Sequence, residues 1–151
     1  MDKILFQEIK DNSAAFRKLN EDELRAGKLA LVEAAKMVCR LSILGKRGGL
    51  IDLDNEADML QQDVASELPC KDFLLKLIRL VLDITDADDL EEIAILNYLS
   101  TYDDCVNNLC KIIYICGVLE VQNGEKTSII AEKMKAIIGD SDVTLYERSA
   151  F

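Results

Sequence analysis

Residues 73–82 read Phe73-Leu-Leu-Lys-Leu-Ile-Arg-Leu-Val-Leu82. Phe73, Leu77 and Val81 form one i, i+4 row, and Leu74, Ile78 and Leu82 form the row beside it. Residues three and four apart stack on one face of a helix, whereas a strand alternates faces at every residue. Two adjacent rows make a wide apolar face, which predicts a helix at the centre of a bundle. Pro69 marks its start, because proline suits the first helical turn. The same period runs through the flanking sequence. The expected fold is all-α, a single-domain bundle of about six or seven helices.

Upstream, a first helix is expected over residues 2–18, with Ile4, Leu5, Ile9 and Phe16 inward. Asn20 with Glu23 three residues on signals the start of a second helix. That helix runs to about Leu44, where Gly45, Gly48 and Gly49 loosen or end it. A short polar helix is expected over residues 55–67. Downstream, Thr85-Asp-Ala-Asp88 resembles a capping box, with acidic residues at the positive end of a helix dipole. A helix from about Tyr102 to Val121 stops at Asn123-Gly124, and a last one runs from about Thr127 to Ile138 before Gly139. The expected domain is residues 1–139, with residues 140–151 a frayed tail. No repeat, low-complexity tract or interdomain linker interrupts it.

Composition agrees with this reading and removes several functions. A chain of 151 residues is one domain in length, and half of it is apolar. One Pro, seven Gly and few aromatics suit helices better than a turn-rich β architecture. A formal net charge of −10 repels phosphate backbones and anionic lipid. Nucleic-acid binding is therefore not expected, and a basic patch on a protein partner is favoured. The same acidity also serves plain solubility. Met1-Asp-Lys-Ile-Leu-Phe-Gln-Glu has no apolar signal region, and Ile112–Leu119 falls short of the roughly 20 residues of a membrane helix. A soluble cytoplasmic protein without membrane insertion is the expectation.

Little points to a metal, a cofactor or catalysis, and none of the three is expected. The cysteines are Cys39, Cys70, Cys105, Cys110 and Cys116, an odd number with no CxxC pair, which suits free thiols in a reducing compartment. Cys105 and Cys116 share a helix face, a pattern of buried cysteines. Asp52, Asp54, Glu56 and Asp58 alternate as in a calcium loop, with Asp63 in the last position. That loop lacks the Gly its sharp turn requires and the bidentate Glu at its end. There is no histidine to act as a base near neutral pH. Asn123-Gly-Glu-Lys-Thr127 has a faint phosphate-loop look but no first Gly and no preceding strand.

Two stretches carry a resemblance. The first is Lys46-Arg-Gly-Gly-Leu-Ile-Asp-Leu-Asp54, continued by Phe73-Leu74, Arg79, Val81, Asp83, Thr85 and Asp86. The second is Gly117-Val-Leu-Glu-Val-Gln-Asn-Gly-Glu-Lys-Thr-Ser-Ile-Ile-Ala-Glu-Lys-Met134. From spacing alone, Lys46 and Asp54 fit a solvated helix end. Together, in order, the stretches resemble the cytoplasmic region of the MotA family of flagellar stator subunits, over residues 35–139. Lys46 stands where that family carries Arg, Asp54 where it carries Glu, and Lys126-Thr127 where it carries Asn-Pro. The two membrane helices that the family places between the stretches would fall between about Tyr98 and Leu109 and are absent. The resemblance thus implies neither ion path nor membrane anchor, and no torque from this chain alone.

What the resemblance implies is a protein-interaction module. In the family the loop charges face a rotor switch protein, so the implied contacts here are Lys46, Arg47, Asp52, Asp54 and Asp58. The partner would be that switch protein or another motility protein. A self-associating scaffold, a homo-oligomer without a motor role, is the alternative. A core that binds a small molecule would need a buried polar cluster, and the helical faces read as too uniformly apolar for one.

Overall fold

The computed structural model describes residues 2–84 and 86–139. Its six helices are α1 (Lys3–Phe16), α2 (Glu21–Gln62), α3 (Lys71–Asp83), α4 (Ala87–Ser100), α5 (Cys105–Gln122) and α6 (Thr127–Ile138), and the described residues contain no strand. The fold is an all-α bundle. The tail expected over residues 140–151 lies outside the described residues, as does Thr85.

Most helices start at a side chain that accepts the free amide hydrogens of the first turn. Asp2 accepts from Ile4 N, Asp86 from Asp88 N and Asp89 N, and Asp104 from Asn107 N. Asn20 and Glu23 close a complete capping box at α2. The start of α4 therefore belongs to Asp86. The helix expected from Tyr102 begins three residues later, because Asp104 supplies the cap. Cys70 precedes α3 in the left-handed region (φ 51°) and gives no side-chain cap.

Element α2 joins the helix expected to run to about Leu44 with the one expected over 55–67, which stops early at Gln62 with residues 63–67 outside it, and one residue inside the element is out of helical geometry. Gly49 has φ 63° and ψ −143°, a conformation essentially restricted to glycine. Gly45 and Gly48 stay helical. The chain folds back at Gly49. Arg40 and Glu56 lie 16 residues apart, roughly 24 Å along a straight helix, yet their side chains meet at 2.9 Å. The element is thus a helical hairpin.

The centre of the bundle is α5, not α3. Every residue from Asn108 to Val118 is buried. The helix packs against α1, α2, α3, α4 and α6. α3 cannot take that place, because Lys71, Asp72, Lys76, Arg79 and Asp83 give it a polar side. α5 also has the length and composition to cross a membrane, at 18 residues and mean hydropathy 1.2, but 61% of it is buried inside the bundle. A helix that is apolar all round is what the middle of a core needs.

The closest contact is between α2 and α5. A Cβ on Gly117 would lie 2.2 Å from Cγ1 of Val38 and 2.6 Å from its Cγ2. Only glycine lets the two helices approach this far. Around the contact, Leu31, Ala34, Ala35, Cys39, Ile112, Ile113 and Leu74 belong to one continuous core.

The interior also holds the buried polar cluster that the sequence reading did not expect. Asn12 and Asn108 are 3% and 0% exposed. Asn108 Nδ2 donates to Asn12 Oδ1 (3.0 Å) and to the Asp103 carbonyl (2.9 Å). Asn12 Nδ2 donates to the Glu8 carbonyl and to Tyr98 Oη, and Tyr98 Oη donates to Glu8 Oε1 at 2.6 Å. These residues come from α1, α4 and α5, so no single helical face reveals them. All amide donors of both asparagines are used, and the cluster ties three helices together without a ligand.

Two predictions follow from this packing. Gly117→Ala should cost about 1–3 kcal/mol, read as a lower denaturation midpoint by circular dichroism, because Val38 on the facing helix must move. Stability should also fall on the alkaline side. Burial pushes the Cys116 thiol from its ordinary value of 9.0 up to about 12, and pushes Cys110 and Tyr114 up as well. Only the unfolded chain then releases these protons, so stability is intact below about pH 9 and declines as pH rises toward 12. Melting temperatures from pH 7 to 11 should show that decline, and Cys116→Val should make it shallower.

Candidate functional site

The candidate surface is the tip of the α2 hairpin. Gly49 turns the chain, and the next two residues cannot reach the core. Leu50 and Ile51 are 54% and 74% exposed. Leu53, Ala57 and Leu60 of the returning arm are buried instead.

Charge surrounds this apolar tip. Arg47 Nε binds Asp52 Oδ2 at 2.9 Å and clasps the two arms across the turn. Lys46 Nζ donates to the Gly124 carbonyl at 3.1 Å. Gly124 sits in the turn after α5, so residues 78 apart in sequence meet here. One turn further along, Ser42 Oγ and Thr127 Oγ1 lie 2.7 Å apart. The two stretches that carry the resemblance thus form adjoining parts of one surface.

The remaining expected contacts lie on the returning arm. Asp54 and Asp58 occupy one helix face and share Arg79 of α3, at 3.1 and 3.0 Å, with Gln61 Oε1 also 3.0 Å from that guanidinium. The hydrogen bond that Arg79 donates to Asp58 raises the already high Arg79 pKa further. Glu56 points the other way, is 6% exposed, and takes both Nε and Nη2 of Arg40. Its hydrogen bond and charge likewise raise the Arg40 pKa. Successive alternate residues of a helix diverge by roughly 200°, which is why the run from Asp52 to Asp58 does not converge on one point. Among the described residues no group of three acidic or cysteine side chains is arranged to hold a metal.

Lys46, Arg47 and Asp52 therefore gather at the tip, while Asp54 and Asp58 form a second cluster facing α3. Leu50, Ile51 and Arg79 lie in the stretches that carry the resemblance but were not among the expected contacts. The exposure of Leu50 and Ile51 follows only from the fold-back. Arg79 stands within the apolar run of residues 73–82. Its distance of 25 residues from Asp54 gave no local signal. A shallow cleft of about 390 Å³ runs between the tip and α3, lined by Leu50, Ile51, Asp54, Arg79, Leu82 and Asp83. Compared with protein-family models, curated proteins and solved structures, the chain matches none.

Gly49→Ala places a side chain in open space but in a backbone region that disfavours any Cβ. It should cost about 1–3 kcal/mol in chemical denaturation. In the remaining folded protein the Leu50 and Ile51 amide signals should shift by NMR, with those of α4 unchanged.

Proposed function

We propose that this chain is a non-enzymatic interaction module similar to the MotA cytoplasmic region, docking on a rotor switch protein or another motility protein through the α2 hairpin tip. The observation that carries the reading is the exposed Leu50-Ile51 pair inside a rim of charge. A docking surface needs an apolar anchor that loses water on contact and polar groups around it that set orientation. Leu50 and Ile51 serve as the anchor, and Lys46, Arg47, Asp52, Asp54 and Asp58 serve as the rim. Most rim charges are already paired within the chain, so their contribution is orientation and rate of encounter more than affinity. The adjoining position of the two resembling stretches supports a single shared surface.

A second reading is self-association as a scaffold. Ile4 and Phe6 on α1 are 48% and 54% exposed and favour it. Analytical ultracentrifugation separates the two, since a monomer at all concentrations excludes the scaffold.

The direct test is titration against the C-terminal domain of the rotor switch protein at low and high salt. Affinity should fall about tenfold with added salt, because exposed charges are screened within a Debye length. Ile51→Asp should weaken binding by about tenfold or more, and Lys46→Glu and Asp54→Lys by less. Salt-independent affinity, or full affinity in Ile51→Asp, overturns the proposal.

A further inference from the structure

At the opposite end of α3 from the hairpin tip, a cleft of about 690 Å³ is lined by three lysines and two aspartates. It is bounded by the starts of α3 and α5 and the end of α4. Lys71, Lys76 and Lys111 all line it. None of the three has a carboxylate within salt-bridge reach among the described residues; each donates to a neutral oxygen. Lys71 Nζ donates to the Asp63 carbonyl (2.8 Å) and Lys76 Nζ to Asn97 Oδ1 (2.9 Å). Lys111 Nζ donates to the Thr101 carbonyl and, at 3.3 Å, to Thr101 Oγ1.

Lys111 is the telling member. It is 7% exposed, and its ammonium lies 5.7 Å from the centre of the Phe73 ring. A buried charge is costly unless it is paired with an opposite one. A carbonyl, a hydroxyl and an aromatic face soften that cost without cancelling the charge. In a chain of net charge −10, no carboxylate among the described residues lies within salt-bridge reach of this ammonium.

Asn97 Oδ1 accepts from Lys76 and holds that ammonium on the lining, while its Nδ2 is buried without a partner. The start of α3 has no side-chain cap, which leaves its first amide hydrogens free. The carboxylates on the lining are Asp72 and Asp103. Asp103 already accepts from Asp104 N and Asn107 Nδ2. Asp72 belongs to the first turn of α3, where the dipole favours it.

We propose that this cleft binds a small phosphorylated anion. A phosphate group offers several acceptor oxygens in a tetrahedral array, which suits ammoniums that converge from α3 and α5. A helix N-terminus with adjacent ammoniums is well matched to its charge. The volume is within the range of small-molecule sites and leaves room beside Phe73 for the rest of the molecule. The site shares no residue with the hairpin tip and stands independently of the docking reading.

The test is an NMR titration of the full chain with inorganic phosphate, and separately with succinate, at constant ionic strength. Phosphate should give saturating shifts at the amides of Lys71 to Phe73 and at the Asn97 side chain. Lys76→Ala, an exposed change that leaves the core intact, should weaken phosphate by about fivefold. Lys111→Met should abolish it. If Lys111→Met does not fold, Lys76→Ala decides. Non-saturating shifts spread over the surface lysines, unchanged affinity in Lys76→Ala, or equal affinity for succinate would each overturn the proposal.

Discussion

The close crossing of α2 and α5 at Gly117 and Val38 is the constraint on which the other helices depend. Without a Cβ at Gly117, the backbone of α5 lies against the Val38 side chain. That approach encloses the middle of α5 on the α2 side and leaves its other faces for α1, α3, α4 and α6. Each outer helix has one apolar side and one polar side. None buries enough alone to offset its ordering entropy, and α5 provides the surface that each lacks. The two polar residues in the buried middle of α5 are hydrogen-bonded within the bundle: Asn108 binds Asn12 of α1 and the Asp103 carbonyl, and Lys111 holds Thr101 at the end of α4.

The acidity of the chain has structural uses besides solubility. Asp2, Asp86 and Asp104 cap helices. Glu56 locks the hairpin through Arg40, and Asp54 and Asp58 fasten its returning arm to α3 through Arg79. The proposed docking surface is therefore held in shape by some of the charges that surround it. Its apolar anchor is exposed because Gly49 reverses the chain before Leu50 can pack. The lysine cleft differs in kind, because among the described residues none of its three lysines forms an ion pair, although Asp72 and Asp103 lie on the same lining.

Much of this was readable from local patterns. The period of apolar residues set the helices, the Asn20–Glu23 spacing marked a real capping box, and Gly49 fell within the glycines expected to end a helix. The errors also have local causes. The expected helix over 55–67 ends at Gln62, because residues 63–67 leave helical geometry after the Asp63 C-cap. The double apolar row of α3 suggested the centre of the bundle, yet the Lys and Arg positions on its other side keep that side near water. The polar cluster at Asn12, Tyr98 and Asn108 joins residues up to 96 apart, and no helical wheel brings them together.

By itself the sequence determined the helical class, most helix starts and the acidic surface, because periodicity, capping and charge act within a few residues along the chain. It also placed Lys46, Arg47, Asp52, Asp54 and Asp58 near a glycine turn. Tertiary structure alone decided that α5 is central, that Arg79 gathers Asp54 and Asp58, that Leu50 and Ile51 stand in water, and that Lys71, Lys76 and Lys111 line one cleft. These depend on which helices touch, and that is fixed by the fit of whole faces, with Gly117 against Val38 setting the distance.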